Sequence, residues 1–207
     1  MNRIEEIFQE KPDIQSFAGG YLGYLSEILA TIDPGTIASF TKVLLEARDR
    51  GARIFFIGNG GSAATASHFA NDLSIGTRSW QKPFQAISLT DNIPILTAIA
   101  NDYSYDDVFL NQLKAQMRSG DVLVAISVSG QSPNVLRAVE YANRYGAVTV
   151  SLTGFDGGRL KSLCKVSLHA ETHQGEYGPV EDIHLILNHL VGTFLMLLER
   201  SEENKNL

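Results

Sequence analysis

The chain has 207 residues, 44% hydrophobic and 19% charged, with a formal net charge of -6 and a single cysteine, Cys164. This is enough chain to bury a core without disulfides or a structural metal, and a lone cysteine excludes a disulfide framework within it. The acidic balance, without a Lys/Arg cluster, argues against nucleic-acid binding, the charged stretch Met1 to Glu6 lacks the apolar core of a secretory leader, and no apolar run approaches the roughly 18 residues of a membrane span, so a cytoplasmic protein is expected.

The first fifty residues read as two helices that form a hairpin. Phe17, Tyr21, Tyr24 and Ile28 recur at helical spacing, and Leu25 and Leu29 widen the same stripe. Asp33-Pro34 then reads as an N-cap and a first-turn proline, opening a helix to about Asp49. The apolar faces of this hairpin need a cover, and a second subunit is one candidate. From Arg53 the pattern changes. Ile54-Phe55-Phe56-Ile57, Phe84 to Leu89, Val122 to Ile126, Val148 to Leu152 and Val166 to Leu168 are short apolar runs separated by helical patterns. Strands that are apolar throughout and alternate with helices indicate a parallel sheet covered on both faces. The expected fold is therefore α/β, a three-layer doubly wound parallel sheet with an N-terminal helical hairpin. The expected division is residues 1–50 as helices packing in an oligomer, 51–200 as the ligand-binding domain, and 201–207 as a frayed tail. The last long helix is expected from Val180 to Glu199.

In doubly wound sheets, ligands sit beyond the carboxyl ends of the strands. Two polar loops fall there. Ser127-Val128-Ser129-Gly130-Gln131-Ser132 follows a buried strand and precedes a helical pattern opened by Pro133. Hydroxyls and free backbone N–H groups at a helix N-terminus make a site for a dianion, and the helix dipole adds to it. The loop has no lysine of the nucleotide-binding kind. The other loop is Gly58-Asn59-Gly60-Gly61-Ser62, whose glycines let a ligand approach the backbone. His68 and Asp72 lie four apart on one helical face, and Glu181, His184 and His189 share the last helix. Imidazoles and carboxylates from two helices are a donor set for Zn²⁺ or a similar divalent ion. Spacing alone leaves the alternative open that these are surface or capping residues.

Taken together, Gly58 to Ser62, His68-Phe69-Ala70, Asn101-Asp102, Ser127 to Ser132, Leu152-Thr153-Gly154 with Asp156-Gly157-Gly158, and the helix carrying Glu181, His184 and His189 resemble the SIS (sugar isomerase) family, in its phosphoheptose isomerase branch, over nearly the whole chain. The resemblance implies a flavodoxin-like SIS domain in a homotetramer with active sites at subunit interfaces. It implies an aldose–ketose isomerase acting on sedoheptulose 7-phosphate, at the start of ADP-heptose synthesis for lipopolysaccharide. Phosphate contacts would fall on Ser127, Ser129 and Ser132, with Val128 between them where the family has threonine. Substrate contacts would fall on Asn59, Gly60, Gly61, Ser62, Asn101, Asp102 and Glu181. The family zinc set maps onto His68, Asp72, Glu181 and His189, with Asp72 as catalytic base and His189 as its acid/base partner. Asp72 stands in place of a family glutamate and Glu181 in place of a glutamine. The alternative is a non-catalytic SIS domain, either a scaffold that associates with a replication initiator or a phosphosugar sensor. Four residues are assigned bland roles: Trp80 beside Arg78 on the surface, Cys164 in the core, and His173 and Glu176 in solvated loops.

Overall fold

A computed structural model describes residues 1–203. In chain order its elements are α1 (Arg3–Glu10), α2 (Ile14–Thr31), α3 (Pro34–Asp49), β1 (Arg53–Gly58), α4 (Gly61–Asn71), β2 (Gln85–Ser88), α5 (Ile93–Asp102), α6 (Val108–Gln116), β3 (Val122–Ser127), α7 (Pro133–Arg144), β4 (Val148–Thr153), α8 (Gly158–Leu163), β5 (Val166–His169) and α9 (Tyr177–Glu203). The five strands pair in the order β2-β1-β3-β4-β5, all parallel. This is the flavodoxin-like order, with its switch point between β1 and β3.

Alternation along the strands divides the core between two faces. Ile54, Phe56, Val124 and Leu152 join α2, α3, α4 and α9 on one side. Phe55, Ile57, Leu123 and Ala125 join α6, α7 and α8 on the other. Both faces are covered, which is why the strands read as apolar runs. The Asp33-Pro34 start of α3 is as expected, with the Asp33 carboxylate accepting from the Gly35 and Thr36 amides at 2.9 and 3.0 Å.

Three features differ from the sequence reading. The N-terminal region holds three helices, because Asn2 and Glu5 form a reciprocal capping box that opens α1. The helix α9 runs to Glu203, so residues 201–203 continue it, and residues 204–207 of the expected tail lie outside the described residues. Glu176, expected in solvent, is 1% exposed. Its carboxylate accepts hydrogen bonds from the Arg3 amide (2.7 Å), the Tyr24 hydroxyl (2.7 Å) and the His173 amide (2.9 Å). Burial of a carboxylate is costly unless such donors surround it.

Helix α9 is long and apolar enough by composition to cross a bilayer. Its Ile183, Leu187, Val191 and Leu195 stripe instead packs in the core. His184 on the same helix is fully buried, and burial pushes its pKa down to about 4. Its Nε2 lies 3.3 Å from the Thr153 carbonyl oxygen. The folded state keeps His184 neutral over a range in which the unfolded chain, with an ordinary histidine pKa near 6.5, takes up a proton. Stability is therefore expected to be level above pH 6.5 and to fall as pH drops from there to about 4. Urea melts across this window test it, and His184→Gln is expected to flatten the slope.

A candidate active site at the carboxyl edge of the sheet

The serine loop leaves the buried end of β3 and turns into α7. Ser127 is 4% exposed, and its Oγ lies 3.2 Å from that of Ser132. Ser132 is the N-cap of α7, yet its side chain makes no capping bond and its hydroxyl turns to Ser127 instead. Pro133 takes the first helical position, where a missing N–H costs nothing. Gly130 has φ +61° and faces the Gly157 carbonyl, so a side chain there would both strain the turn and overlap backbone. The Gly130 carbonyl accepts from the Leu160 amide and the Val128 carbonyl from the Gly154 amide, tying the serine loop to the β4–α8 loop. The Val128 side chain packs with Phe155 and Val180, so it supplies a wall and no hydrogen bond.

A cavity of about 160 Å³ opens over this loop, lined by Asn59, Ser62, Ser127, Val128, Ser129, Ser132, Tyr177 and Glu181 among others. Asn59 and Asn134 pair through both amide groups at 2.9 Å, and the Tyr105 hydroxyl donates to Asn59 Oδ1 at 2.9 Å. Gly60 is the N-cap of α4 and Gly61 its first residue. Gly61 is required by close approach: a Cβ there would overlap the Glu181 carboxylate. Burial, then the charge of Asp182, raises the Glu181 pKa above the ordinary carboxylate value.

The second cluster lies where α4 meets α9. His68 Nε2 is 3.2 Å from His189 Nε2 and 3.3 Å from Asp72 Oδ2. Asn188, fully buried, donates to the same Asp72 oxygen at 2.9 Å, and Asn71 donates to the other at 3.2 Å. Asp72 begins a π-helical turn, Asp72–Gly76, that closes on the Thr77 amide. Such turns recur at functional sites because they break the regular ladder and re-aim a side chain. The ligand atoms of His68, Asp72 and His189 all lie within 4.8 Å of one another. Two imidazole nitrogens facing each other across a hydrogen-bond distance, with a carboxylate oxygen beside them, fit a divalent ion of the Zn²⁺ type. The amide held against Asp72 is the outer partner such ligands use.

Glu181 is not part of that cluster. At 100° per residue, eight positions along α9 leave it 80° off the His189 direction and about 12 Å away along the axis. It faces the serine pocket instead. Asn101 and Asp102 close α5, exposed, with their side chains bonded to each other at 2.8 Å and outside the pocket lining. Trp80 is exposed on a loop whose Arg78 has φ +57°, and Cys164 is mostly buried, its thiol pKa pushed up to about 11. The residues that sequence reasoning missed are Asn134, Tyr105, Tyr177 and Asn188. Of these, Asn188 had a signal: it follows His184 at i+4 beside the apolar stripe of α9.

These features define a doubly wound α/β protein with a serine-lined pocket at the carboxyl edge of its sheet and a histidine–carboxylate cluster where α4 meets α9. The SIS domain model matches residues 20–154, and the chain belongs to that family. It is 41% identical over 142 residues to the phosphoheptose isomerase of Nitratidesulfovibrio vulgaris, covering 69% of this chain and 67% of the relative. To that of Pelobacter propionicus it is 38% identical over 165 residues, covering 78% and 87%. The structure of phosphoheptose isomerase GmhA from Neisseria gonorrhoeae superimposes with a TM-score of 0.80 at 31% identity, over 88% of this chain and 98% of that one.

Two outcomes test this geometry. Gly61→Ala is expected to drive the Glu181 carboxylate off the Gly61 backbone and toward the serine loop, and so to weaken binding of inorganic phosphate several-fold with the fold intact, read by calorimetry and circular dichroism. His68→Ala and His189→Ala are each expected to lower zinc affinity by at least tenfold, read by titration with a competing chelator; unchanged affinity would remove the cluster as a metal site.

Proposed function

We propose that this protein is an aldose–ketose isomerase that interconverts sedoheptulose 7-phosphate and D-glycero-D-manno-heptose 7-phosphate, the precursor of ADP-heptose in the lipopolysaccharide core. The observation that carries the reading is the pairing of a serine-lined anion pocket with the His68, Asp72 and His189 cluster on a chain this similar to phosphoheptose isomerases. The two are separated by about 12 Å along α9, the length scale of an extended phosphosugar. A converging base and imidazole favour an enzyme over a scaffold or a sensor.

In this mechanism the hydroxyls of Ser127, Ser129 and Ser132 and the N-terminus of α7 receive the phosphate. Binding energy at that remote group fixes C1 and C2 against α4 and α9. Asn59, Gly60, Gly61, Ser62 and Glu181 contact the sugar hydroxyls. Asp72 takes a proton from C1 while His189 donates one to O2, giving the enediol. Asp72 then returns a proton to C2 as His189 accepts the one on O1. His68, Asp72 and His189 would hold a Zn²⁺, which would supply a Lewis acid to the carbonyl oxygen.

The reading extends to a cytoplasmic homotetramer with sites at subunit interfaces. Its support is the uncovered apolar surface. Helix α5 buries none of its residues, and Ile186, Leu190, Phe194 and Leu197 form an exposed stripe on α9. Asn101 and Asp102 then face the site of a neighbouring copy.

Incubation with sedoheptulose 7-phosphate in D₂O is expected to yield the aldose with deuterium at C2, read by NMR. Asp72→Asn is expected to lose 10²–10⁴-fold in kcat, the usual worth of a general base. Absence of exchange from wild-type protein, with and without Zn²⁺, would sink the isomerase reading.

A further inference from the structure

Glu176 is the residue just before α9, and α9 brings Tyr177 and Glu181 into the serine pocket. Its carboxylate joins three separate pieces of chain: the start of α1 through the Arg3 amide, α2 through Tyr24, and its own turn through the His173 amide. A second strut lies nearly two turns further along, on α9 itself. The Tyr21 hydroxyl, one turn before Tyr24 on α2, donates to Asp182 Oδ2 at 2.6 Å. The two tyrosines thus grip α9 on both sides of Glu181. The middle of α9 needs no such grip, because Ile183, Leu187 and Val191 seat it in the core. His189 lies in that seated stretch.

We infer that Glu176 is a positioning residue: with Tyr24 it sets the first turns of α9, and through them the placement of Tyr177 and Glu181 on the wall of the serine pocket. The charge has a reason of its own. Three donors converge on one buried side chain, and only a carboxylate accepts from all three without presenting an N–H in return. A glutamine keeps the volume but turns an amide N–H toward one of those donors. That misfit is relieved by moving the first turn of α9, which precedes Val180, the first residue of the helix seated in the core. Loss of Glu176 therefore acts on phosphosugar binding, while the reacting groups on α4 and mid-α9 keep their geometry.

The inference rests on the serine pocket being the phosphate site, and the test separates the two. Wild type, Glu176→Gln and Tyr24→Phe are compared by titration with inorganic phosphate and by isomerase kinetics. The expected result is a rise of about tenfold in phosphate Kd and in KM for Glu176→Gln, and about threefold for Tyr24→Phe, with kcat within twofold. Tyr24→Phe removes a single hydrogen bond and keeps the measurement available if the glutamine variant folds poorly. Unchanged Kd and KM in both variants overturn the inference alone, as does a fall in kcat with KM constant. Wild-type protein that binds no phosphate overturns the pocket reading and the inference with it.

Discussion

Because all five strands run parallel, every carboxyl end lies on one edge of the sheet, and every crossover begins there. The loops after β1, β3 and β4 are thereby forced together, although they are separated by dozens of residues in the chain. Each carries small polar residues where it meets a helix N-terminus. The serine loop and the Gly154 to Gly158 loop brace one another through backbone hydrogen bonds, which fixes the cradle before any ligand arrives. Free N–H groups and the positive ends of α4 and α7 then point at a common space. The pocket follows from topology, and the serines give it its hydroxyl lining.

Topology alone does not place the histidine–carboxylate cluster. That falls to α9, which packs across the sheet after the last strand and passes both ends of the site. Its start overlooks the serine pocket, its middle presents His189 to His68, and Glu199 near its end pairs with Arg48 and Ser79. A rigid rod of this kind converts the pitch of a helix into a distance between the serine pocket and the histidine cluster. It also explains why polar residues interrupt its apolar stripe. His184 and Asn188 are both buried, and each touches the rim of the site, through Thr153 and Asp72.

Much of this was readable from residues alone. The strands declared themselves because both faces are buried, and the serine loop because three hydroxyls follow one buried strand. The Asp33-Pro34 start held because its chemistry is local. What escaped was set by tertiary contact or by a break in period. Glu176 looked like a solvated loop glutamate since its three donors come from residues near and far, Arg3 and Tyr24 among them. The π-helical turn at Asp72 leaves no repeating pattern to read. Glu181 and His189 share a helix and a place in the expected zinc set, and the 80° between them sends one to the serine pocket and the other to the histidine cluster. The capping box at Asn2 and Glu5 was present in the sequence and passed unread.

The two exchanges against the family pattern acquire different meanings in three dimensions. Aspartate is about 1.5 Å shorter than glutamate, and a misplacement of that order can cost about 100-fold in rate. Here Asp72 nonetheless reaches His68, with Asn71 and Asn188 fixing both of its oxygens. The shorter side chain is held at its post, so the exchange does not by itself remove the base. Glu181 poses the opposite problem, since it brings a negative charge to a pocket read as receiving a dianion. No Lys or Arg lines that pocket among the described residues. A phosphate there meets hydroxyls, amides and helix ends, all neutral donors whose strength comes from orientation. In such a cradle an acidic neighbour is tolerable only if it is aimed away from the phosphate oxygens. Glu181 leans instead on the bare backbone of Gly61, where a Cβ would overlap its carboxylate. The absence of a side chain at Gly61 and the presence of a carboxylate at Glu181 are in this sense one feature.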